Sequence, residues 1–503
     1  MASPRLVNGG ASFFPIWVIV THFLNIFFLL LLARSGIEVL AAHPKLYWSD
    51  DCPPGRAWAR FSKKVYTPDS RRLWTSHDEE ESWSPVLALP GRRNLGLGRH
   101  WHFMTVQFWV LTGAVYVALV FATGYWRYLV PTSWSLFPDS VRAVGTYLQF
   151  KITDPLPGEP FNAAQKLSYF VVVFLLAPVQ ILTGAAMSPS VIARFPRYTR
   201  LFGGRQKARS LHFLGLVAFA GFTVVHTAMV LVHGLPREFA AMVLGSYQAD
   251  RTLGLAIGLL GLFLLVVFHL AITRFSLRHP RRTQHLLGLM VDPFERRISR
   301  SLTSRQRYSH RDISPYHRVN GYPPVGADYQ RLAADDFRDY RLSISGLVEH
   351  PVTLSLDELH RLGTQSQITK HNCIQGWTAV AQWTGVPLAR VVELVKPLPT
   401  AKHAVFYAFD DKAETEGSHG VYYESVPLHL LTEPQAILAL AMNNAPLPIE
   451  HGAPARVRLE TQLGFKMIKW VRAVEFVADY RQIGMGQGGW REDHQFYANE
   501  AGM

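Results

Sequence analysis

Residues 209–226, RSLHFLGLVAFAGFTVVH, decide the fold. Between Ser210 and His226 the stretch carries no full charge, so it reads as a helix crossing a membrane, yet a histidine stands near each end. An ionisable side chain in hydrocarbon is costly and marks a proton relay, a transport path or a metal site. His212 and His226 are 14 residues apart, about 21 Å of rise and about 40° of rotation on an ideal helix. The two imidazoles therefore share one face at two depths.

Working outward, a hydrocarbon core about 30 Å thick needs roughly 20 apolar helical residues. About five segments qualify: Ala11–Ala33, Phe103–Trp126, Leu167–Ser188, Leu211–Leu235 and Thr252–Thr273. The first follows a single Arg5 and lacks a small-residue cleavage site, which reads as a retained helix. With helices alternating in direction, His102 opens the second span at the level of His212, and His22, in mid-helix on the first, faces the deeper His226. Two stacked bis-imidazole pairs follow. His100, in GRHWHF (98–103), and His269 compete with His102, while His233 lies near the opposite surface.

The chain has 51 Lys and Arg against 37 Asp and Glu, a net +14, in 503 residues of which only 17% are charged. Soluble domains average about 25%, so this basic excess sits on an apolar chain. It clusters beside the spans and forms no independent basic face, which excludes a nucleic-acid partner. Pro189–Ser210 holds Arg194, Arg197, Arg200, Arg205, Lys207 and Arg209 without an acid, and Arg274, Arg278, Arg281 and Arg282 end the fifth span. Positive charge favours the cytoplasmic side, and it takes the C-terminal region there. The organisation expected is an all-α transmembrane bundle over 1–275 with a polar extramembrane loop over 34–100, which includes Asp78-Glu79-Glu80-Glu81. A basic linker along the membrane surface over 276–311 precedes a strand-rich α+β domain over 312–503. Strand-like runs in that domain are Arg341–Leu347, His403–Asp411, Arg456–Thr461 and Val471–Val477.

WVIVTHFLNIFFLLLLARSG (17–36) and residues 209–226 resemble the di-haem cytochrome b subunits of formate dehydrogenase, Ni/Fe hydrogenase and thiosulfate reductase. That resemblance, over residues 11–235, implies two haem b groups held by His22 with His226 and His102 with His212, each neutral imidazole donating to iron.

Cys373 stands in HNCIQGWTAVAQWTGVPLARVVEL (371–394), after the strand-like QSQITKH (365–371). A lone buried cysteine is usually a small apolar residue, but here its neighbours His371, Asn372 and Gly376-Trp377 argue for more. With SPYHRVNGY (314–322), RLSISGLVEHPVTLSLDEL (341–359), HAVFYAFDD (403–411), HGAPARVRL (451–459), LGFKMIKW (463–470) and DHQFYAN (493–499), the motif is similar to the sulfite-oxidase fold of molybdopterin enzymes, including the catalytic subunit that reduces methionine sulfoxide in proteins. The resemblance implies that Cys373 is the one protein ligand of molybdenum. It also implies that His317 and Asn320 approach the pterin and that Arg456 binds its phosphate or pyran edge. Gly464, Phe465 and Lys466 would then cradle the phosphate with help from Lys469. His451 and Asn372 depart from the sulfoxide reductase, which has Asn and Arg there. Tyr407, Tyr422 and Tyr423 are pocket candidates of which at least two pack on the sheet. Cys52, in WSDDCPPG (48–55), reads as an inert loop thiol.

Together these features imply a bacterial inner-membrane oxidoreductase. Mo-molybdopterin performs two-electron oxo transfer on a small sulfur or nitrogen compound, and two haems exchange electrons with the quinone pool. Reduction of an S- or N-oxide is the favoured direction, and sulfite oxidation is the alternative. A reading from another class is a polytopic transporter or sensor with a pterin-like ligand. Membrane lipid is a further partner, and homo-oligomerisation stays open. The resemblance, followed from a cytoplasmic N-terminus through five spans, places the molybdenum domain outside. Charge places it in the cytoplasm, as does the lack of a twin-arginine pair before the first helix, since Arg92-Arg93 in GRRNLGLGRHW (91–101) is a poor match. In either orientation the His102/His212 haem is expected nearer to molybdenum.

Overall fold

A computed structural model of the chain describes residues 14–66, 73–149, 151–188, 191–192, 195–299, 305–418 and 420–499, and backbone only at 196 and 294–299. Arg5, Ala11, Pro189 and Arg194 lie outside the described residues. Two compact units emerge, one of residues Met1–Arg34, Trp101–Gly184 and Leu211–Arg278, the other of Ser35–His100, Ala185–Ser210 and His279–Met503.

Five helices are long and apolar enough to cross a membrane: Ile16–Ala41, Leu95–Ala122, Ala163–Met187, Arg205–His233 and Arg251–Arg278. Each overlaps an expected span, the fifth contains Thr252–Thr273 whole, and the other four are shifted toward their neighbouring sequence at one end. In the first unit Leu260, Phe263, Leu264 and Val266 are exposed on the fifth helix, the surface lipid would cover. Polar ties run between the helices, with Trp109 Nε1 donating to Asn25 Oδ1 at 3.0 Å and Arg34 Nη2 donating to Thr273 Oγ1 at 2.8 Å. Such bonds join helices where hydrocarbon offers no alternative partner. The third span opens on an Asn162/Gln165 capping box and widens to a π-turn over Val171–Leu176. Pro178 follows at once, and its missing N–H would break a regular ladder there. Leu136–Leu148 and Leu235–Leu244 are additional short helices.

The second unit is built on two sheets. One runs Ala445–Pro446, Ile437–Met442, Thr378–Pro387, Gln365–Asn372, with Arg456–Arg458 also paired to Ile437–Met442 and every pairing antiparallel. The other runs Val352–Leu354, Leu342–Gly346, Val471–Val477, His403–Asp411, Val421–Pro427, with one parallel pair, Leu342–Gly346 beside Val471–Val477. Ile344, Phe406, Val474 and Phe476 from one sheet and Trp383, Val386 and Leu438 from the other share one core. The expected strand at Arg456–Thr461 stops at Arg458.

Residues 35–100 belong to this second unit. They carry a short ladder, Lys45–Leu46 with Ala59–Arg60, and a 3-10 turn at Ser76–Glu79 inside the acidic run. Glu79 is fully buried and takes Lys45 at 3.0 Å and Arg318 at 2.5 Å. Burial alone would raise its carboxyl, but His43, Arg318 and Lys45 hold it well below the usual range. Asp51 accepts from Ser314 Oγ at 2.6 Å and Asp78 from Tyr322 Oη at 2.8 Å. The acids so clamp the segment to 314–322. Within 276–311 the structure has a helix, Pro280–Ser299, whose Arg281 donates to the carbonyls of Glu492 and Asp493.

Candidate functional site

The first unit brings the four predicted histidines together in two pairs. His102 and His212 have ring centroids 6.4 Å apart, and His22 and His226 6.3 Å apart. That gap accommodates one metal between two imidazole nitrogens at about 2 Å each. His212 Nδ1 lies 3.1 Å from the Gln180 carbonyl and 3.1 Å from Thr183 Oγ1. Nδ1–H is thereby committed as a donor, which leaves Nε2 with its lone pair for a metal. Gly184 faces the same ring, and a Cβ there would stand 3.3 Å from His212 Cε1. His226 stacks on Phe222 at 5.5 Å. Of the two competitors for position 102, His269 Nδ1 accepts from Arg34 Nη1 at 2.9 Å, which puts its proton on Nε2, while His100 donates Nδ1–H to the Gly96 carbonyl at 2.8 Å and it is His102 whose ring stands opposite His212. His233 Nδ1 bonds the Met229 carbonyl at 2.8 Å.

The second unit holds a pocket lined by His317, Asn320, His371, His451, Arg456 and Lys469, with Trp377, Tyr422, Gly464, Phe465 and Arg491 also on its wall. Cys373 follows directly on the strand Gln365–Asn372, and the Cys373–Gly376 turn closes with Gly376 N–H on its carbonyl at 3.1 Å. Its side chain is fully buried with Tyr47, Cys52 and Trp377. Burial pushes the thiol up to about 12, so without a metal it stays protonated, and a bound metal would reverse that. Asn320 Nδ2 approaches the sulfur at 3.7 Å, the geometry of a weak donor to a thiolate.

Three imidazoles crowd the pocket, with His317 5.5 Å from His371 and 5.1 Å from His451 between ring centroids. Gly464 permits this, because a Cβ there would meet His371 Nε2 at 2.4 Å. Arg456 spends two nitrogens on the His451 and Met467 carbonyls, at 3.0 and 3.3 Å, and its buried Nε has no partner. Lys469 donates to the Glu450 carbonyl at 2.9 Å. Burial, then neighbouring positive charge, pushes Arg456, Lys469, His317 and His371 well below their ordinary values and His451 to about 3. Burial outweighs what Glu460 gives Arg456 and what Asp410 and Glu450 give Lys469, and none of these carboxylates forms an ion pair with them among the described residues. A dianionic phosphate would, with guanidinium and ammonium as its natural donors. The residues therefore fit a phosphate-bearing pterin beside a soft sulfur ligand.

One expected residue is placed differently. Lys466 is buried away from the pocket wall, its ammonium bonded to Glu424 Oε2 at 2.8 Å and to Glu492. Those carboxylates hold its charge, and Lys469 is the ammonium that lines the pocket. Tyr422 lines it and donates to the Phe465 carbonyl at 3.0 Å, while Tyr407 and Tyr423 bond Glu475 and Asp493. Arg318 and Arg491 were not anticipated. Arg491 lies two residues before the quoted DHQFYAN motif, and Arg318 within SPYHRVNGY. Cys52 is fully buried and its sulfur lies 4.0 Å from Thr378 Oγ1.

Residues 14–245 match the family described as prokaryotic cytochrome b561, and residues 329–483 match the oxidoreductase molybdopterin binding domain. The first match includes all four paired histidines, and the second includes Cys373, Arg456, Gly464 and Lys469. A subunit provisionally named for protein-methionine-sulfoxide reductase, YedZ1 of Azospira oryzae, is 34% identical over 161 residues, 32% of this chain and 55% of that one. The catalytic subunit MsrP of protein-methionine-sulfoxide reductase from Xanthomonas campestris is 33% identical over 144 residues, 27% and 45% of the two chains. Its counterpart from Campylobacter jejuni is 28% identical over 149 residues, 28% and 50%. The chain spans about half the length of the curated relatives it matches. In one polypeptide it joins a cytochrome b561 domain to a molybdopterin-binding oxidoreductase domain, and these imply haem b and molybdopterin as cofactors.

Proposed function

We propose that the chain is a membrane-bound reductase of S- or N-oxides, fed by quinol through two haem b groups. The balance is one sulfoxide, two electrons and two protons giving one sulfide and one water, and the quinol supplies the electrons and protons as it becomes quinone. The observation that carries the reading is the pocket that Asn320 links to the Cys373 sulfur, where Arg456 and Lys469 have no ion-pair partner among the described residues, in a chain that also pairs four intramembrane histidines. When bound, molybdenum would supply the two-electron oxygen-atom chemistry. The chain's own part is then to supply the Cys373 sulfur, to hold the phosphate with Arg456 and Lys469, and to present Nε2 of His212 and its three counterparts to iron. The named relatives carry the name of subunits of protein-methionine-sulfoxide reductase, which supports the direction.

The cationic lining also suits an anionic substrate, and oxidation of sulfite with water to sulfate, releasing two electrons and two protons, is the second reading. Assay of the purified protein with duroquinol and dimethyl sulfoxide, and separately with sulfite and a quinone, tests both. Quinol-dependent sulfide formation supports the first, and sulfite-dependent quinone reduction alone replaces it with the second. For orientation we place the second unit in the cytoplasm. Arg205 and Arg209 are taken up by carbonyls of Met187, Lys45 and His43, but Arg197, Arg200, Lys207, Arg274, Arg278 and Arg282 stay exposed. A C-terminal reporter active only outside the cytoplasm would overturn that.

A further inference from the structure

The cations lining the pocket fall into two groups. Lys412 is neutralised by Asp410 at 2.8 Å and Glu416 at 2.6 Å, and Arg318 by Glu79 at 2.5 Å. Arg456, Lys469 and Arg491 have no carboxylate within 4 Å among the described residues. If Arg456 and Lys469 take the cofactor phosphate, Arg491 is left over. It is 6% exposed, lines the pocket, and is linked to the Cys373 sulfur through His77, Glu80 and Gln375. Its guanidinium therefore faces the same pocket as Asn320, which reaches the Cys373 sulfur that would hold the metal.

Its orientation is set by the acidic run of the 35–100 segment. Arg491 Nη2 lies 3.0 Å from His77 Nε2, and His77 Nδ1 lies 3.1 Å from Glu80 Oε1. Only one tautomer satisfies both contacts, with Nδ1–H donating to Glu80 and Nε2 accepting from the guanidinium. Glu80 Oε1 also accepts from Gln375 Nε2, and Gln375 Oε1 faces the Cys373 sulfur at 3.4 Å. Arg491 Nη1 donates to Gln495 Oε1 at 2.5 Å. Burial opposes the charge on Arg491, but Tyr422, Tyr497, Glu416 and Glu80 hold it protonated. It thus acts as a fixed donor and gives up no proton.

Resting on the oxo-transfer reading, we propose that Arg491 is the specificity-determining residue that hydrogen-bonds the oxygen of an S–O or N–O substrate, with His77 and Glu80 as its positioning residues. The guanidinium meets the partial negative charge on that oxygen. As the S–O bond breaks, its electron pair stays on sulfur, and the oxygen leaves as water after taking the two electrons and two protons that quinol supplies.

The test compares the full-length wild type with Arg491→Lys, Arg491→Gln, His77→Ala and His77→Gln. The readouts are molybdenum and pterin per chain, the Mo(V) paramagnetic spectrum, and KM and kcat for dimethyl sulfoxide and trimethylamine N-oxide. The expected result is full cofactor loading throughout and a KM raised about tenfold or more in Arg491→Gln, the scale of a lost charge-assisted hydrogen bond. The rise should be smaller in Arg491→Lys, and His77→Gln, which keeps an acceptor, should recover most of the loss seen in His77→Ala. Unchanged KM in loaded Arg491→Gln would overturn the proposal, as would loss of pterin from Arg491→Lys, which would make Arg491 a cofactor anchor. A loaded wild type inert toward both oxides would remove the oxo-transfer reading itself, and this inference with it.

Discussion

The membrane unit and the pocket unit solve opposite electrostatic problems. In the spans, ionisable groups are few and the paired ones are imidazoles, with His212 Nδ1 held by a carbonyl and a hydroxyl. In the pocket, Arg456, Lys469 and Arg491 line the wall without an ion-pair partner among the described residues, and that deficit of negative charge defines the ligand. The first centre is read from spacing, the second from unpaired charge. A metal fits where lone pairs converge and an anion where cations do.

The sharpest way to break that contrast is Cys373→Ala. It should abolish turnover while pyridine haemochrome remains at the wild-type level, and turnover in the fully loaded variant would remove Cys373 as the ligand. Next in size, His212→Ala and His226→Ala should each lose one of two haems. Two haems retained in either variant would refute the pairing, and loss of haem from His269→Ala but not His102→Ala would reassign it.

Lysines 466 and 469 sharpen the pocket half of the contrast. Lys466→Met strands two buried carboxylates and should cost about 3–5 kcal/mol, seen as a lower Tm with or without cofactor. Lys469→Met removes a buried cation that lacks a carboxylate, so the cofactor-free protein should be as stable as wild type or more so, with less molybdopterin retained. Equal behaviour of the two variants would erase the distinction. The smallest effect concerns acid. His451 is neutral in the fold, at about 3 against an ordinary 6.5, so between those values an unfolded chain binds a proton that the folded one does not. Stability of the cofactor-free protein should fall as pH falls from about 6.5, by at most about 1.4 kcal/mol per pH unit from this residue. His451→Asn should flatten that slope, and an unchanged slope would contradict the account.

The spans and histidine pairs were legible because helical periodicity and bilayer thickness are strong local constraints. Position 102 needed three dimensions, since only packing shows that His102 is the ring opposite His212 and that His269 accepts from Arg34. That Arg456, Gly464 and Lys469 share one pocket was legible through motif resemblance, whereas the ion pairs of Lys466 with Glu424 and Glu492 were not, because those partners are distant in sequence. The acidic run at 78–81 signalled only that the loop leaves the membrane. Its neutralising partners Lys45 and Arg318, and the His77–Arg491 contact, arise from folding residues 35–100 onto 314–322 and 491, which no local pattern encodes.

The central claim, that one chain couples the paired-histidine haems to oxo transfer at Cys373, is tested most directly by reducing the haems of the purified protein and adding dimethyl sulfoxide without air. The account predicts haem reoxidation with two electrons consumed per dimethyl sulfide formed, and no reoxidation in Cys373→Ala. Haems that stay reduced in the loaded wild type, or that reoxidise equally in Cys373→Ala, would contradict it.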